Sequence, residues 1–231
     1  MDKTIFKNYD KKQIAQLPKA TFPGRIIVIA TAKETEKAVD YLLGCPILGL
    51  DTETKPSFKK GRQNVVSLLQ VSSLDTCFLF RLHLTGLTPA LVRLLEDTTV
   101  PKVGLSLGDD VLSLHKRGDF KPGYLIDLQD HMRELGVEDL SLQKLYANFF
   151  SQKISKTQQL SNWEKDILDE KQKIYAATDA WACIMLYREY IRMKEQGHYI
   201  LVDNTPPPAP SDPSAPSDPS TPIDPLSPSI P

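Results

Sequence analysis

The chain has 231 residues and a net charge of −1, and 41% of the residues are hydrophobic and 25% charged. These proportions are typical of a globular protein. No apolar run approaches the roughly 20 residues that a membrane helix requires, so we expect no membrane span. The net charge is too small for a protein that coats nucleic acid by charge alone, although it is compatible with a local basic patch.

Prolines are concentrated at the C-terminal end, where eleven of the eighteen lie between Pro206 and Pro231. This segment contains no Lys, Arg or aromatic residue. Because it cannot bury enough apolar surface to offset its ordering entropy, we expect a disordered, partly polyproline-like tail over 205–231. A protein partner could dock on such a tail. Ahead of it we predict an N-terminal extension over 1–24 and one domain over 25–204.

Strand and helix patterns alternate along the predicted domain, which is typical of α/β proteins. The predicted strands are Arg25–Ala30, Ile47–Glu53, Val65–Val71, Cys77–Phe80 and Val103–Leu107. The predicted helices are Glu34–Leu43, Pro89–Leu95, Leu140–Phe149 and Glu170–Glu195. The turn-like segment Ser72–Asp75 favours an antiparallel pair around it. We therefore expect a mixed central sheet flanked by helices.

The second predicted strand ends in two acids, Asp51 and Glu53, after an apolar run. Side chains alternate along a strand, so both carboxylates should point to one face and Thr52 to the other. Like charges on one face repel each other unless a cation lies between them. The pair fits either a polar strand end that reaches solvent or a site for a divalent cation, which prefers clustered carboxylate oxygens.

The last predicted helix carries Asp179 on a face of small and apolar residues. Residues three and four apart share a helix face, which places Asp179 beside Tyr175 and Cys183. A carboxylate desolvated there is costly unless it pairs with a cation or binds a metal. The sequence alone allows either a Lys or Arg partner or a metal ion.

Two adjacent acids, Asp109 and Asp110, stand at the predicted start of a helix after Gly108. We expect Asp109 to be the N-cap of this helix. Asp110 falls in the first turn, where the helix dipole favours an acid, and Leu114 follows it by four residues. Asp110 therefore fits either a dipole role or a ligand role.

Three motifs in chain order resemble those of the DEDDy-type 3′–5′ exonucleases, a family that includes ribonuclease D and the exonuclease domain of the Werner syndrome protein. Their residues are Asp51, Glu53, Asp110, Leu114, Tyr175 and Asp179. The resemblance runs from about Pro46 to Tyr190 and includes the segments VVSLLQVSS, KVGLSLGDD and LSNWEKDILDEKQKIYAATDAWA. The family pattern has an apolar residue four positions after its second acid, which favours Asp110 over Asp109.

The resemblance implies a ribonuclease H-like fold and a metal-dependent enzyme that releases nucleoside 5′-monophosphates from the 3′ end of DNA or RNA. It also implies two Mg²⁺ or Mn²⁺ ions, held by Asp51, Glu53, Asp110 and Asp179. In this pattern Asp51 bridges both ions and Tyr175 orients the attacking water. Two adjacent divalent cations suit an in-line phosphoryl displacement.

The loop after the first motif, KPSFKKGR, is a candidate nucleic-acid contact. Its cations should lie close to the expected metals and could contact phosphates, and its aromatic ring could stack on a terminal base. A solvated hairpin loop would explain the same residues. The candidates are Lys55, Phe58, Lys59, Lys60 and Arg62. Trp163, by contrast, is expected to pack inside the domain.

The N-terminus is polar, without an apolar signal-peptide core. The three cysteines lie too far apart for a disulfide framework or a zinc site. We therefore expect a reducing, cytoplasmic setting. Two other functions remain open: a non-catalytic nucleic-acid-binding or scaffold protein that keeps the fold, and an enzyme that degrades very short oligonucleotides or dinucleotides. The complete set of acids favours the exonuclease.

Overall fold

A computed structural model of the chain describes residues 2–57, 61 and 64–204. The expected tail and the loop candidates Phe58, Lys59, Lys60 and Arg62 lie outside these residues. The strands are β1 (Lys3–Phe6), β2 (Arg25–Ile29), β3 (Leu48–Thr54), β4 (Val66–Ser72), β5 (Thr76–Phe80), β6 (Lys102–Gly104), β7 (Leu125–Asp127) and β8 (Tyr199–Val202). The helices are α1 (Lys11–Ile14), α2 (Ala32–Leu42), α3 (Leu82–Thr85), α4 (Pro89–Glu96), α5 (Leu107–His115), α6 (Leu128–Glu134), α7 (Leu142–Phe150) and α8 (Glu170–Gln196).

In the described part of the chain, six strands form the central sheet in the order β2-β5-β4-β3-β6-β7. Strand β4 pairs antiparallel with both β3 and β5, whereas the other neighbours are parallel. The predicted mixed sheet is confirmed, and so is the antiparallel pair around Ser72–Asp75. Strand β3 lies in the interior of this order, between β4 and β6.

The two faces of the sheet bury different helices, because the strands alternate between them. Leu50, Val71 and Phe80 belong to a core that also holds buried side chains of α2 and α4. Leu68 and Leu79 belong to a core on the opposite face that contains residues of α8. Helices therefore cover both faces, as a ribonuclease H-like fold requires.

Helix α8 lies directly against strand β3. A Cβ atom added to Gly49 would come within 1.9 Å of the carbonyl oxygen of Ala180, so only glycine permits this approach. The helix is 27 residues long and begins with a capping box between Asp169 and Gln172. Its close packing brings the small face of α8 next to the acidic end of β3. No helix of the described chain combines the length and apolarity that a membrane span needs.

The N-terminal extension packs onto the domain through a second, two-stranded sheet. Strand β1 pairs in parallel with β8, in the register Lys3↔Tyr199 to Phe6↔Val202. Ile5 is fully buried among residues of α6, α7 and α8. The chain before β2 is therefore held by the same core that supports the last helix.

The start of helix α5 differs from the prediction. The strand expected over Val103–Leu107 ends at Gly104, and α5 begins at Leu107. Asp109 is not its N-cap, because Ser106 takes that position with a left-handed φ of 62°. The carboxylate of Asp127, at the end of β7, accepts hydrogen bonds from the Ser106 and Leu107 amides. The Asp127 side chain, from another strand, thus satisfies amides at the start of α5 that we expected a local cap to satisfy.

Candidate active site

Three carboxylates meet where strand β3 ends against helix α8. Asp51, Glu53 and Asp179 each offer an oxygen that lies within 4.8 Å of the other two. Asp51 and Glu53 share the α8 side of the sheet, while Thr52 faces α5 on the other side, as strand alternation predicts. The structure therefore brings together acids from two motifs that are far apart in the sequence.

No cation of the described chain neutralises Asp179 by a direct ion pair. Its Oδ1 atom is buried and accepts no hydrogen bond from the described residues. Lys156 is near enough to lower the pKa of Asp179, but only as a secondary influence. The Lys or Arg partner that the sequence allowed for Asp179 is absent from this part of the chain.

Burial and mutual repulsion keep these acids protonated far above their ordinary range. Burial raises the pKa of Glu53 to about 9, with further contributions from Asp179 and Asp110. Burial raises the pKa of Asp179 to about 7, against the opposing effect of the Tyr175 hydroxyl. The pKa of Asp51 is raised well above its usual value by burial and by the three neighbouring carboxylates. Ionisation of the cluster is therefore costly without a cation, and a bound cation would remove that cost.

Asp110 lies beside this cluster rather than within it. Its carboxylate accepts a hydrogen bond from the Thr52 hydroxyl, and it is the strongest of the charged neighbours that raise the pKa of Asp51. Burial raises the pKa of Asp110 itself to about 7, while the Thr52 hydroxyl opposes the rise. Asp109 is exposed to solvent. Of the two adjacent acids, Asp110 is the one that faces the end of β3.

Tyr175 lies one helical turn before Asp179 and is 8% exposed. Its ring packs against Trp163, with the ring centroids 6.0 Å apart. Burial raises the pKa of the Tyr175 phenol, and the negative charges of Asp179 and Glu53 add to the shift. The raised pKa therefore favours the protonated hydroxyl, which can donate a hydrogen bond.

Trp163 is fully buried, which confirms its predicted packing role. Its indole Nε1 has no hydrogen-bond partner within ordinary distance among the described residues. It nevertheless lies close enough to Glu53 to lower the pKa of that carboxyl. The Trp163 indole N–H is therefore not within ordinary hydrogen-bond geometry of Glu53, but it places a donor next to the carboxylate cluster.

A cleft of about 550 Å³ opens over the three carboxylates. Asp51, Glu53, Tyr175 and Asp179 line it on the side of β3 and α8. On the other side stand residues from α6, α7 and the segment after α7, among them Gln129, Gln143 and Lys156. Sequence reasoning missed this second wall, because it carries no acidic or aromatic motif. The two lysines of the segment KISK, Lys153 and Lys156, were the sequence signal that could have indicated it.

Of the five loop candidates for nucleic-acid contact, only Lys55 lies in the described part of the chain. Its ammonium group forms an ion pair with Glu164 at 3.0 Å, and Glu164 also accepts a hydrogen bond from Ser67. Lys55 thus ties the end of β3 to the residue that follows Trp163. Its charge is already partly compensated before any phosphate arrives.

The chemistry of the donor set is that of a divalent-cation site. All ligands on offer are carboxylate oxygens, which hard divalent cations prefer over nitrogen or sulfur. The buried, unpaired Oδ1 atom of Asp179 and the raised pKa values of its neighbours both indicate a missing positive charge. The residues present therefore fit a divalent metal.

Comparison with known proteins points to one family. A family model described as 3′–5′ exonuclease matches residues 26–193. The mouse (Mus musculus) bifunctional 3′–5′ exonuclease/ATP-dependent helicase WRN is 30% identical over 183 residues, which cover 75% of this chain and 13% of the mouse protein. A 3′–5′ exonuclease of Arabidopsis thaliana is 32% identical over 189 residues, which cover 74% of this chain and 65% of the plant protein.

Among solved structures, the EXO domain of Aedes aegypti Nibbler superposes with a TM-score of 0.70 at 20% identity. The match covers 78% of this chain and 94% of the Nibbler domain. It supports the fold that the sequence predicted. The chain spans less than two thirds of the length of the mouse and plant relatives.

Proposed function

The chain belongs to the 3′–5′ exonuclease family, and on that premise we propose that it hydrolyses nucleic acid from the 3′ end and releases nucleoside 5′-monophosphates. The observation that carries this proposal is the carboxylate cluster of Asp51, Glu53 and Asp179 in an open cleft beside Tyr175. A scaffold protein would gain nothing from buried acids whose repulsion destabilises the fold. The intact cluster therefore favours catalysis over a binding role.

Two Mg²⁺ or Mn²⁺ ions are the proposed cofactors. Asp51, Glu53 and Asp179 would hold the first, and Asp51 together with Asp110 the second. When bound, such a pair supplies the positive charge that acidifies an attacking water and stabilises the departing 3′-oxygen. The four carboxylates would position these ions and would be ionised in their presence, because a nearby cation lowers the pKa of each acid.

Tyr175 has the proposed role of positioning the attacking water. Its hydroxyl lies beside Asp179 at the edge of the cleft and remains protonated. A fixed donor next to a carboxylate can hold a water in one orientation through two hydrogen bonds. Packing of the ring against Trp163 would hold this donor in place for the water.

Lys55, Phe58, Lys59, Lys60 and Arg62 remain proposed contacts to nucleic acid. A protein partner for the tail and a cytoplasmic location are also proposals. The three cysteines are free thiols, which is compatible with a reducing setting. Both DNA and RNA remain candidate substrates, since recognition of a 2′-hydroxyl depends on pocket shape.

A direct test uses 5′-labelled substrates with and without Mn²⁺: single-stranded DNA, single-stranded RNA, a recessed duplex and a dinucleotide. We expect a ladder of products shortened from the 3′ end that requires the metal. Asp51→Asn should abolish the ladder, whereas Asp109→Asn, which changes an exposed acid near the site, should preserve it. Cleavage of the dinucleotide alone would favour the oligonucleotide-degrading enzyme. No cleavage of any substrate would contradict the proposed function.

A further inference from the structure

A second cavity, also of about 550 Å³, adjoins the cleft over the three carboxylates, which we call the catalytic cleft. The two cavities share Gln143, Tyr175 and the segment Ile154–Lys156. The second cavity therefore adjoins the catalytic cleft at these residues. A ligand that extends from the carboxylates past Tyr175 enters it.

Among the residues that the structure describes, four lysines and no acidic residue line this second cavity. They are Lys19, Lys153, Lys156 and Lys171, and we refer to the cavity as the lysine groove. Lys19, Lys156 and Lys171 are exposed, and none of them forms an ion pair with another described residue. The charges of Lys19 and Lys171 are therefore available to an anionic ligand, whereas the charge of Lys156 also acts on Asp179.

The N-terminal extension builds one wall of the lysine groove. Lys19 pairs with Lys153 in a parallel bridge, flanked by hydrogen bonds from the Lys153 amide to Pro18 and from the Ala20 amide to Lys153. The Phe22 amide donates to the Thr178 hydroxyl on α8 at 3.0 Å. This wall is firmly attached to α8 next to the catalytic residues, although it precedes the region matched by the family model, which begins at residue 26.

We propose that the lysine groove binds the sugar–phosphate backbone of the substrate strand on the 5′ side of the nucleotide being removed. This inference rests on the proposed function, since it assumes that a 3′ end occupies the catalytic cleft. A single strand that continues from there carries one phosphate per nucleotide, and lysines bind phosphates without regard to base. The groove thus favours strands of several nucleotides over dinucleotides.

The test compares the double variant Lys19→Gln/Lys171→Gln with a control, Lys33→Gln/Lys37→Gln, which removes two exposed lysines from α2 on the other face of the sheet. Substrates are a single strand of about twelve nucleotides and the p-nitrophenyl ester of thymidine 5′-monophosphate, which is too short to reach the groove. Melting temperatures of all proteins establish that each variant is folded.

For the groove variant we expect KM on the long strand to rise about tenfold. The slope of log kcat/KM against log salt concentration should become shallower by about 1.4. Each lost phosphate contact on a single strand accounts for about 0.7 of that slope, and the variant loses two contacts. Turnover of the nitrophenyl ester should stay within about twofold of wild type. The control variant should match wild type on both substrates. An unchanged KM and salt slope in the groove variant would overturn the proposal.

Failure of the proposed function is recognisable separately, because the wild type would then cleave neither substrate. The groove is in that case judged by fluorescence anisotropy with the labelled strand in EDTA. The groove variant should bind about tenfold more weakly than the control, and equal affinities would overturn the proposal. A polyglutamate peptide serves as the alternative ligand. If the wild type binds this peptide more tightly than the strand and the groove variant does not bind it, the proposal is overturned in favour of an acidic protein partner.

Discussion

The Thr52 hydroxyl donates a hydrogen bond to the Asp110 carboxylate and so joins strand β3 to helix α5. Thr52 points away from the carboxylate cluster, yet its neighbours Asp51 and Glu53 both belong to that cluster. The bond therefore fixes the position of Asp110 relative to the strand that carries two other proposed ligands. It also lowers the pKa of Asp110 and so favours the ionised form that a metal requires.

Thr52→Val should impair activity because it removes this donor at nearly constant shape. A hydrogen bond to a charged group contributes about 1.5–3 kcal/mol, so we expect a loss of about ten- to a hundredfold at pH 7. The pKa of Asp110 should rise further, and the deficit relative to wild type should therefore shrink at pH 9. Thr52→Ser keeps the hydroxyl and should retain most activity. Equal pH–rate profiles for wild type and Thr52→Val would contradict the role of the bond.

The effect of Asp179→Asn on stability distinguishes two roles of Asp179, because a metal ligand and a partner in an ion pair predict effects of opposite sign. The ionised carboxylate is unfavourable in the apo fold, because burial raises its pKa to about 7. Removing the charge should leave the melting temperature in EDTA at pH 8 level or higher. The same change should abolish activity and reduce the stabilisation by Mn²⁺, since a ligand that binds only the native state stabilises it according to its affinity.

If Asp179 instead held a cation by an ion pair, its removal would strand that cation and cost about 3–5 kcal/mol. Thermal melts of both proteins in EDTA and in Mn²⁺ distinguish the two cases. A large drop in the melting temperature of Asp179→Asn in EDTA, with the Mn²⁺-induced shift retained, would contradict the metal-ligand role. Glu36→Gln, an exposed acid on α2, provides a control that should leave the Mn²⁺ shift unchanged.

The stability of the apo protein should fall as pH rises from about 6 to 9. The pKa is about 9 for Glu53 and about 7 for Asp110 and Asp179, all above the unfolded values near 4. A raised pKa means that the folded state binds more protons in this window, so stability is lost as pH climbs through it. Saturating Mn²⁺ should flatten or reverse the trend, because metal binds the ionised acids. Melting curves of wild type and Glu53→Gln/Asp179→Asn test this, and equal slopes would contradict it.

Local periodicity was sufficient to predict much of the fold and part of the site. The period of two placed Asp51 and Glu53 on one face of β3, and the helical period placed Asp179 beside Tyr175. Each of these predictions depends only on neighbours within one strand or one helix.

Features that depend on tertiary contacts could not be read in this way. The predicted cap Asp109 was wrong because Asp127, from another strand, satisfies the first amides of α5. The Thr52–Asp110 bond and the lysine groove likewise join segments that are distant in the sequence. No local rule for capping or periodicity contains that information.

Removal of the tail after Asn204 should leave activity unchanged. Strand β8 ends at Val202, and the Asn204 side chain donates to the Asn8 carbonyl, so this cut keeps the pairing with β1. The removed segment carries no Lys or Arg with which to hold phosphates. Activity per molecule should therefore match the full chain. A loss greater than about tenfold, or roughly 1.4 kcal/mol, would show that the tail takes part in the reaction.

Tyr175→Phe should reduce turnover about 10²–10⁴-fold while metal binding stays nearly intact. The substitution removes only the hydroxyl, and the phenyl ring can keep its contact with Trp163, so the Mn²⁺ shift in melting temperature should be preserved. Because the raised pKa keeps the phenol protonated, its titration should not contribute to the pH–rate profile. The profiles of wild type and Tyr175→Phe should therefore have the same shape. Trp163→Phe is the companion variant, since it alters the packing behind Tyr175 without touching the hydroxyl. Turnover that is unchanged in Tyr175→Phe but reduced in Trp163→Phe would mean that Tyr175 serves only as a packing residue.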